Sequence, residues 1–294
     1  MREAKPSRPP VRRARRALIP YLLTFPGVLW LALFFAAPLV FTLLFTFYEG
    51  SLDFGYSFTS SWPSTYLEAF RQYDTQIVRS LIYGVIVTVA TLVISYPMMY
   101  WIAMRGGRRK NLYLLLILLP FFTPFLIRTL SWQFVLADEG ILLGTLKNVG
   151  ILSDDFRLLA TPVAVLSGMT YNFLPFMALP LYVALEKLDL ALLDAAADLY
   201  SSKTQAFLKV TLPLSLPGVF AGSLLTFIPT VGDFIDSQLL GGTNTTMIGN
   251  VVVRELLVNG DYPTGTALSF ILIAGILIGV FFYARALGTE ELTG

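Results

Sequence analysis

The sequence predicts an all-α, polytopic membrane protein with six transmembrane helices, and three observations carry the prediction. Of its 294 residues 55% are hydrophobic and only 14% charged, with a mean hydropathy of +0.69. A soluble domain carries about 25% charged residues, so this chain lacks the polar surface to cover itself in water. Six windows are free of charge apart from one arginine, and each can hold the roughly 20 apolar residues that a helix needs to cross about 30 Å of hydrocarbon. The basic residues also alternate in density from one connection to the next.

The first window, 17–48, carries Pro20, Pro26 and Pro38 and is too long for a cleaved signal peptide, so it reads as the first span. The connection 49–76, with Trp62, Pro63, Tyr66, Phe70 and Tyr73, is long enough to fold a short amphipathic piece over the outer mouth. The remaining spans fall at 80–104, at 111–137 interrupted only by Arg128, and at 158–185, 210–232 and 262–284. A further uncharged stretch, 237–253, contains Gly241, Gly242, Asn244, Gly249 and Asn250 and reads as a loop or partly embedded cap, because its unpaired backbone is costly in lipid. Neither an internal repeat nor a Gly/Ser linker divides the chain. It reads as a basic N-terminal tail (1–16), one integral domain (17–286) and a C-terminal tail (287–294).

Fifteen of the 21 Lys and Arg residues fall on the side of the N-terminal tail, five on the other side, and Arg128 lies between. The positive-inside rule then places both termini in the cytoplasm, with the chain multi-pass in the cytoplasmic membrane. A net charge of +2 argues against nucleic acid as a partner. With no Cys and no His, disulfides, thiolate or imidazole metal sites, and Cys or His catalysis are removed together. Gly106 and Gly107 precede Arg108, Arg109 and Lys110 without phosphate-loop spacing, and no nucleophile-elbow or zincin pattern is present. The sequence therefore offers no catalytic residue, no metal site and no cofactor site, and it suits a channel or carrier better than an enzyme.

The connection at about 186–216 is informative. Asp189 or Asp194 can accept from free amides at a helix start, Ala195, Ala196 and Ala197 favour helix and present a thin surface, and Ser201 with Ser202 supplies a turn. A second short helix then presents Phe207 and Leu208 as apolar knobs before Pro213 and Pro217 break it. Apolar Leu199 and Phe207 in water call for a partner.

This segment resembles the coupling motif of permease subunits of ATP-binding-cassette (ABC) importers, in which Glu-Ala-Ala is followed after three residues by Gly and later by Leu-Pro. Asp194 stands for the Glu, Ala195 and Ala196 match, Ala197, Asp198 and Leu199 fill the gap, and Leu212-Pro213 falls at the expected distance. Tyr200 occupies the Gly position, and the expectation is that it keeps the turn with φ < 0. The chain is also similar to spermidine/putrescine-type permeases. That likeness lies in Leu29-Trp30-Leu31, Phe34-Phe35, Pro120-Phe121-Phe122-Thr123, Arg128-Thr129-Leu130-Ser131-Trp132, Leu174-Pro175-Phe176-Met177, Leu185-Glu186, Gly232-Asp233-Phe234, Leu239-Leu240-Gly241-Gly242 and Met247-Ile248-Gly249-Asn250. The resemblance implies the type I importer permease fold (MetI-like) in a bacterial inner membrane. Its implied partners are a second homologous permease, two ATPase subunits that bind the ATP and magnesium, an extracytoplasmic binding protein and the bilayer. A polyamine cargo is implied first, with another small cation, thiamine, an opine or ferric iron as alternatives.

Asp233 lies 16 residues past Pro217, hence roughly 24 Å along the fifth span, and Asp236 follows on the same face. Carboxylates at that depth point to function, and a polycation is well held by carboxylates and by aromatic faces such as Phe122, Trp132 and Tyr171. Two readings of Asp233 stand: contact with substrate, or an ion pair with Arg128 at similar depth in the third span. Arg128 can also snorkel to the interface. A self-sufficient ion-coupled carrier using Asp233 and Asp236 as a relay is the competing function class.

Overall fold

The computed structural model describes residues 23–51 and 55–286. The tails 1–16 and 287–294 lie outside the described residues, and with them the part of the orientation argument that rests on the basic N-terminus.

Helix α1 (Leu23–Phe45) carries a π-turn at Ala32–Ala36 and keeps nearly all its side chains on the periphery. A two-stranded antiparallel hairpin follows, β1 (Tyr48–Ser51) against β2 (Gly55–Phe58), with Tyr48 opposite Phe58. The amphipathic piece expected in this connection is α2 (Trp62–Gln72), started by Pro63 and packed through Ala69. Next come α3 (Asp74–Arg105), α4 (Gly107–Phe122), α5 (Phe125–Leu136), α6 (Ile141–Asn148) and α7 (Pro162–Glu186), the last capped by Thr161 on the Ala164 amide. The chain closes with α8 (Leu190–Asp198), α9 (Lys203–Val231), α10 (Ile235–Leu239), α11 (Ile248–Val253) with a π-turn at Arg254–Val258, and α12 (Tyr262–Ala286). The stretch read as a loop or cap is thus a series of short helical turns.

Two expectations need correction. The third window is not one straight span: α4 and the stretch Phe125–Asn148 meet at 90°, so the described residues give five spanning helices, or six when this bent pair counts as one. Pro120 and Pro124 cause the break. Proline disfavours helical geometry in the residue before it, and Thr123 is extended at φ −82° and ψ 137°. Conversely, Pro213 and Pro217 do not break α9, which runs from Lys203 through both. A π-turn at Phe207–Thr211, in which the Leu212 amide bonds to the Phe207 carbonyl, precedes Pro213 and places it in the first turn of the next helical stretch, where its missing N–H is tolerated.

Helices α3, α7 and α9 form the bundle core. In lipid, helices associate through close backbone approach at small residues rather than by escape from water. Gly218 and Gly222, one turn apart on α9, serve this purpose: a Cβ on Gly218 would lie 2.9 Å from the Pro180 carbonyl, and one on Gly222 2.9 Å from that of Met177. One layer of the core is Met99, Ile102, Leu181, Leu185 and Val219, and another joins Val87, Met169, Phe173, Leu240 and Met247. Elsewhere α2 and α11 pack on α12 through Ala69, Val251, Ala267 and Leu268. There the Glu255 carboxylate accepts from the Tyr73 hydroxyl at 2.9 Å, the Asn259 amide at 2.7 Å and Arg254 at 3.1 Å.

Candidate functional site

Two constellations matter, one around Asp236 and one in the α8–α9 turn. At the first, the bend before α5 brings Thr129 against α7 and α10. The Thr129 hydroxyl donates to Asp236 Oδ1 at 2.7 Å, and the Asn172 amide donates to the same carboxylate at 2.9 and 3.1 Å and to Thr129 Oγ1 at 3.0 Å. Asp236 has no exposed surface, so three helices close a polar knot inside the protein. Asp233 turns back instead of facing the same way: its Oδ1 accepts the Asp236 amide at 2.9 Å, and 8% of the residue stays exposed. Asn250 joins the same region, accepting the Met247 amide at 3.0 Å and donating to the Phe234 carbonyl at 2.8 Å.

The anticipated Arg128–Asp233 pair is not formed. Arg128 makes no ion pair among the described residues, is only 7% exposed, and leaves its Nε without a hydrogen-bond partner. Nor does it snorkel to an exposed position. Its guanidinium lies over aromatic rings, 4.9 Å from the Phe121 centroid and 5.7 Å from that of Phe125. Both carboxylates find other donors: the Thr129 hydroxyl and the Asn172 amide bond to Asp236, and the Asp236 amide bonds to Asp233.

Of the aromatic candidates, Trp132 and Tyr171 meet edge to face at 5.5 Å and line one cleft of about 370 Å³ together with Arg128, Thr123 and Ser131. Phe122 does not join them; it stands 80% exposed. A larger groove of about 840 Å³, almost wholly apolar, runs from Phe121 past Phe176 and Val183 on α7 and Pro217 on α9 to Leu192 on α8.

The segment that resembles the coupling motif is built as a helix, a turn and a helix. Asp189 caps α8 by accepting the Ala191 amide at 3.0 Å, so Asp194 and Asp198 lie within α8 rather than at its start. Asp194, Ala195 and Ala197 are exposed and Ala196 half-buried. A Schellman turn closes the helix: the Tyr200 amide bonds to the Ala197 carbonyl at 3.0 Å, and the Ser201 amide to that of Ala196 at 3.0 Å. That geometry requires a left-handed residue, and Tyr200 supplies it at φ = +58°. The expectation of φ < 0 is overturned: the tyrosine adopts the conformation a glycine would, at a strain of about 1–2 kcal/mol. Ser202 and Gln205 then form a reciprocal capping box that starts α9.

Phe207 is not an outward knob. It packs on Tyr96 and Tyr100 of α3 with centroids at 5.6 and 5.7 Å, while Leu208 stays exposed. The most outward residues are Leu199 and Tyr200, 81% and 97% exposed. Leu212 and Pro213 are half-buried where α9 enters the bundle. Lys110 and Glu186 pair nearby, tying the start of α4 to the end of α7. Charge drew the sequence reading to Arg128 and Asp233 and away from Thr129 and Asn172. An amide in the middle of an apolar window was the available signal.

Residues 95–287 match the family described as binding-protein-dependent transport system inner membrane component. The chain is 38% identical to the spermidine/putrescine transport system permease protein PotB of Haemophilus influenzae over 87% of this chain and 90% of that one. It is 37% identical to PotB of Escherichia coli over 75% and 81%. Its fold matches a bacterial ABC transporter involved in the import of the acidic polysaccharide alginate, with a TM-score of 0.73 over 95% of this chain and 98% of the other at 16% identity.

Proposed function

Since the chain belongs to the binding-protein-dependent transport system inner membrane components, we propose that it is the permease subunit of an ABC importer for polyamines. The observation that carries the cargo is its likeness to two spermidine/putrescine permeases over most of each chain. In this reading a second permease packs along the apolar groove between α7 and α9, two ATPases dock on the α8–α9 turn, and a binding protein delivers cargo on the opposite face. ATP and magnesium are bound by the ATPases, and this chain performs no hydrolysis. The termini lie in the cytoplasm.

The cargo is a flexible polycation. We assign Trp132, Tyr171 and Asp233 to its path: the rings offer negative faces to ammonium groups, and Asp233 keeps an exposed edge. Asp236 is left out, because its oxygens are occupied and out of reach. Arg128 in the wall of the cleft that Trp132 and Tyr171 line keeps a polycation from settling there, as a conduit requires, since passage needs binding weak enough to release.

Reconstitution tests the whole reading. Proteoliposomes holding this chain, its second permease and the ATPase should take up spermidine or putrescine only with ATP inside and binding protein outside. Uptake by this chain alone would establish the carrier reading instead, and ATP-driven uptake of other cargo without either polyamine would overturn the substrate.

A further inference from the structure

We propose that Tyr200 is an aromatic anchor that seats in an apolar, basic-rimmed pocket of the cognate ATPase and makes this permease selective for it. The inference rests on the permease reading above and goes beyond it by naming the residue that discriminates and the surface it needs.

The turn itself gives no reason for a tyrosine. Its backbone hydrogen bonds are complete without any side chain, Ser202 and Gln205 cap the helix that follows, and a glycine would take φ = +58° without strain. Nor does the ring repay its strain by packing within the chain, for 97% of the residue is exposed. Phe207, by contrast, is folded back on Tyr96 and Tyr100, so Leu199 and Tyr200 at the turn, with Leu208 beyond them on α9, present the outward apolar surface of this loop. An aromatic ring with two rotatable bonds, fixed on a rigid turn, loses little freedom on insertion, which is the character of an interface hot spot.

The flanking charges say what surrounds the pocket. Asp194 and Asp198 lie one turn apart on the same face of α8 and are both exposed. They favour a partner whose pocket carries Lys or Arg where it meets α8, while the exposed Lys203 at the start of α9 calls for an acidic group opposite it.

The test co-expresses the chain with its second permease and its ATPase and measures the ATPase recovered per permease pair and ATP hydrolysis in the complex. Tyr200→Gly should lower recovery at least tenfold while the permease pair accumulates normally. Tyr200→Asn, which tolerates the left-handed turn, should do the same, and Tyr200→Phe should stay within twofold of the parent. Ala195→Arg, an exposed change elsewhere on the loop, tests the docking reading independently. If Ala195→Arg abolishes recovery and both Tyr200→Gly and Tyr200→Asn match the parent, the anchor is overturned and docking stands. If none of the changes affects recovery, the docking reading falls with it.

Discussion

Around Asp236, groups from three helices converge on one carboxylate out of reach of water, with the Asn172 Oδ1 left without a partner, whereas the α8–α9 turn satisfies only its backbone and leaves Leu199 and Tyr200 outside. Both regions contain what an isolated helix would avoid, a buried carboxylate in one and a left-handed tyrosine in the other. In the first, the departure is compensated within the chain, so its role is to hold α5, α7 and α10 together. In the second the Schellman hydrogen bonds hold the backbone, but among the described residues nothing covers the ring, so its cover is expected from another subunit. Where a local cost is met tells which features build the fold and which are addressed to a partner.

The contrast breaks most visibly at Asp236. Replacement by Ala strands the Thr129 hydroxyl and the Asn172 amide in a buried site and should cost roughly 2–4 kcal/mol, read as a large loss of detergent stability. Unchanged stability with abolished uptake would make the knot part of the path after all. Asp233→Asn should act the other way: uptake falls about tenfold, equivalent to about 1.4 kcal/mol, with stability nearly kept because the amide oxygen can still accept the Asp236 N–H. As Arg128 is not its partner, adding Arg128→Gln should not restore what Asp233→Asn loses, and the two effects on stability should add within about 0.5 kcal/mol. Rescue by the double change would reinstate the ion pair.

Smaller still is the relief at the turn. In the permease pair without ATPase, Tyr200→Gly should raise stability by about 1 kcal/mol, since the left-handed strain goes while some chain entropy is lost. A fall would mean that the ring is supported by the chain itself. The smallest effect concerns Glu255. Burial pushes its carboxyl up, but the hydrogen bonds from Asn259, Tyr73 and Arg254 outweigh this and hold it below the ordinary 4.5. A carboxyl lowered by folding stabilises fully above its ordinary value and loses that contribution as pH falls through the lowered one. Melting temperatures from pH 6 down to about 3 should therefore decline less steeply in Glu255→Gln than in the parent. Parallel curves would remove Glu255 from the account.

Spans were legible because charge-free length is a one-dimensional property, and the windows land within a few residues of α7 and α12. The bend was harder to see: Pro120 and Pro124 stand in the sequence, but hydropathy runs through them unchanged. The partner was read wrongly, since counting residues along a straight third span placed Arg128 opposite Asp233, whereas the span bends before α5 and Thr129 is the residue that meets Asp236. At Phe207 the error was one of distance, because the rings that cover it belong to Tyr96 and Tyr100, more than a hundred residues earlier. The left-handed Tyr200 escaped for a different reason: residue preference argued against it, and the two Schellman hydrogen bonds overrode the preference.

The wide turn at Phe207–Thr211 bears on how the loop is phased to the bundle. A π-turn holds one residue more than the α-helical turns beside it, and each residue of an α-helix advances the azimuth by about 100°. The loop and the transmembrane part of α9 are thus joined like two shafts keyed about 100° apart. Removing a single residue from 207–211 would rewind that turn and swing the α8–α9 loop around the axis of α9, with the hydrogen bonds of each half preserved. Direction, as well as attachment, is therefore written into the length of one helical turn.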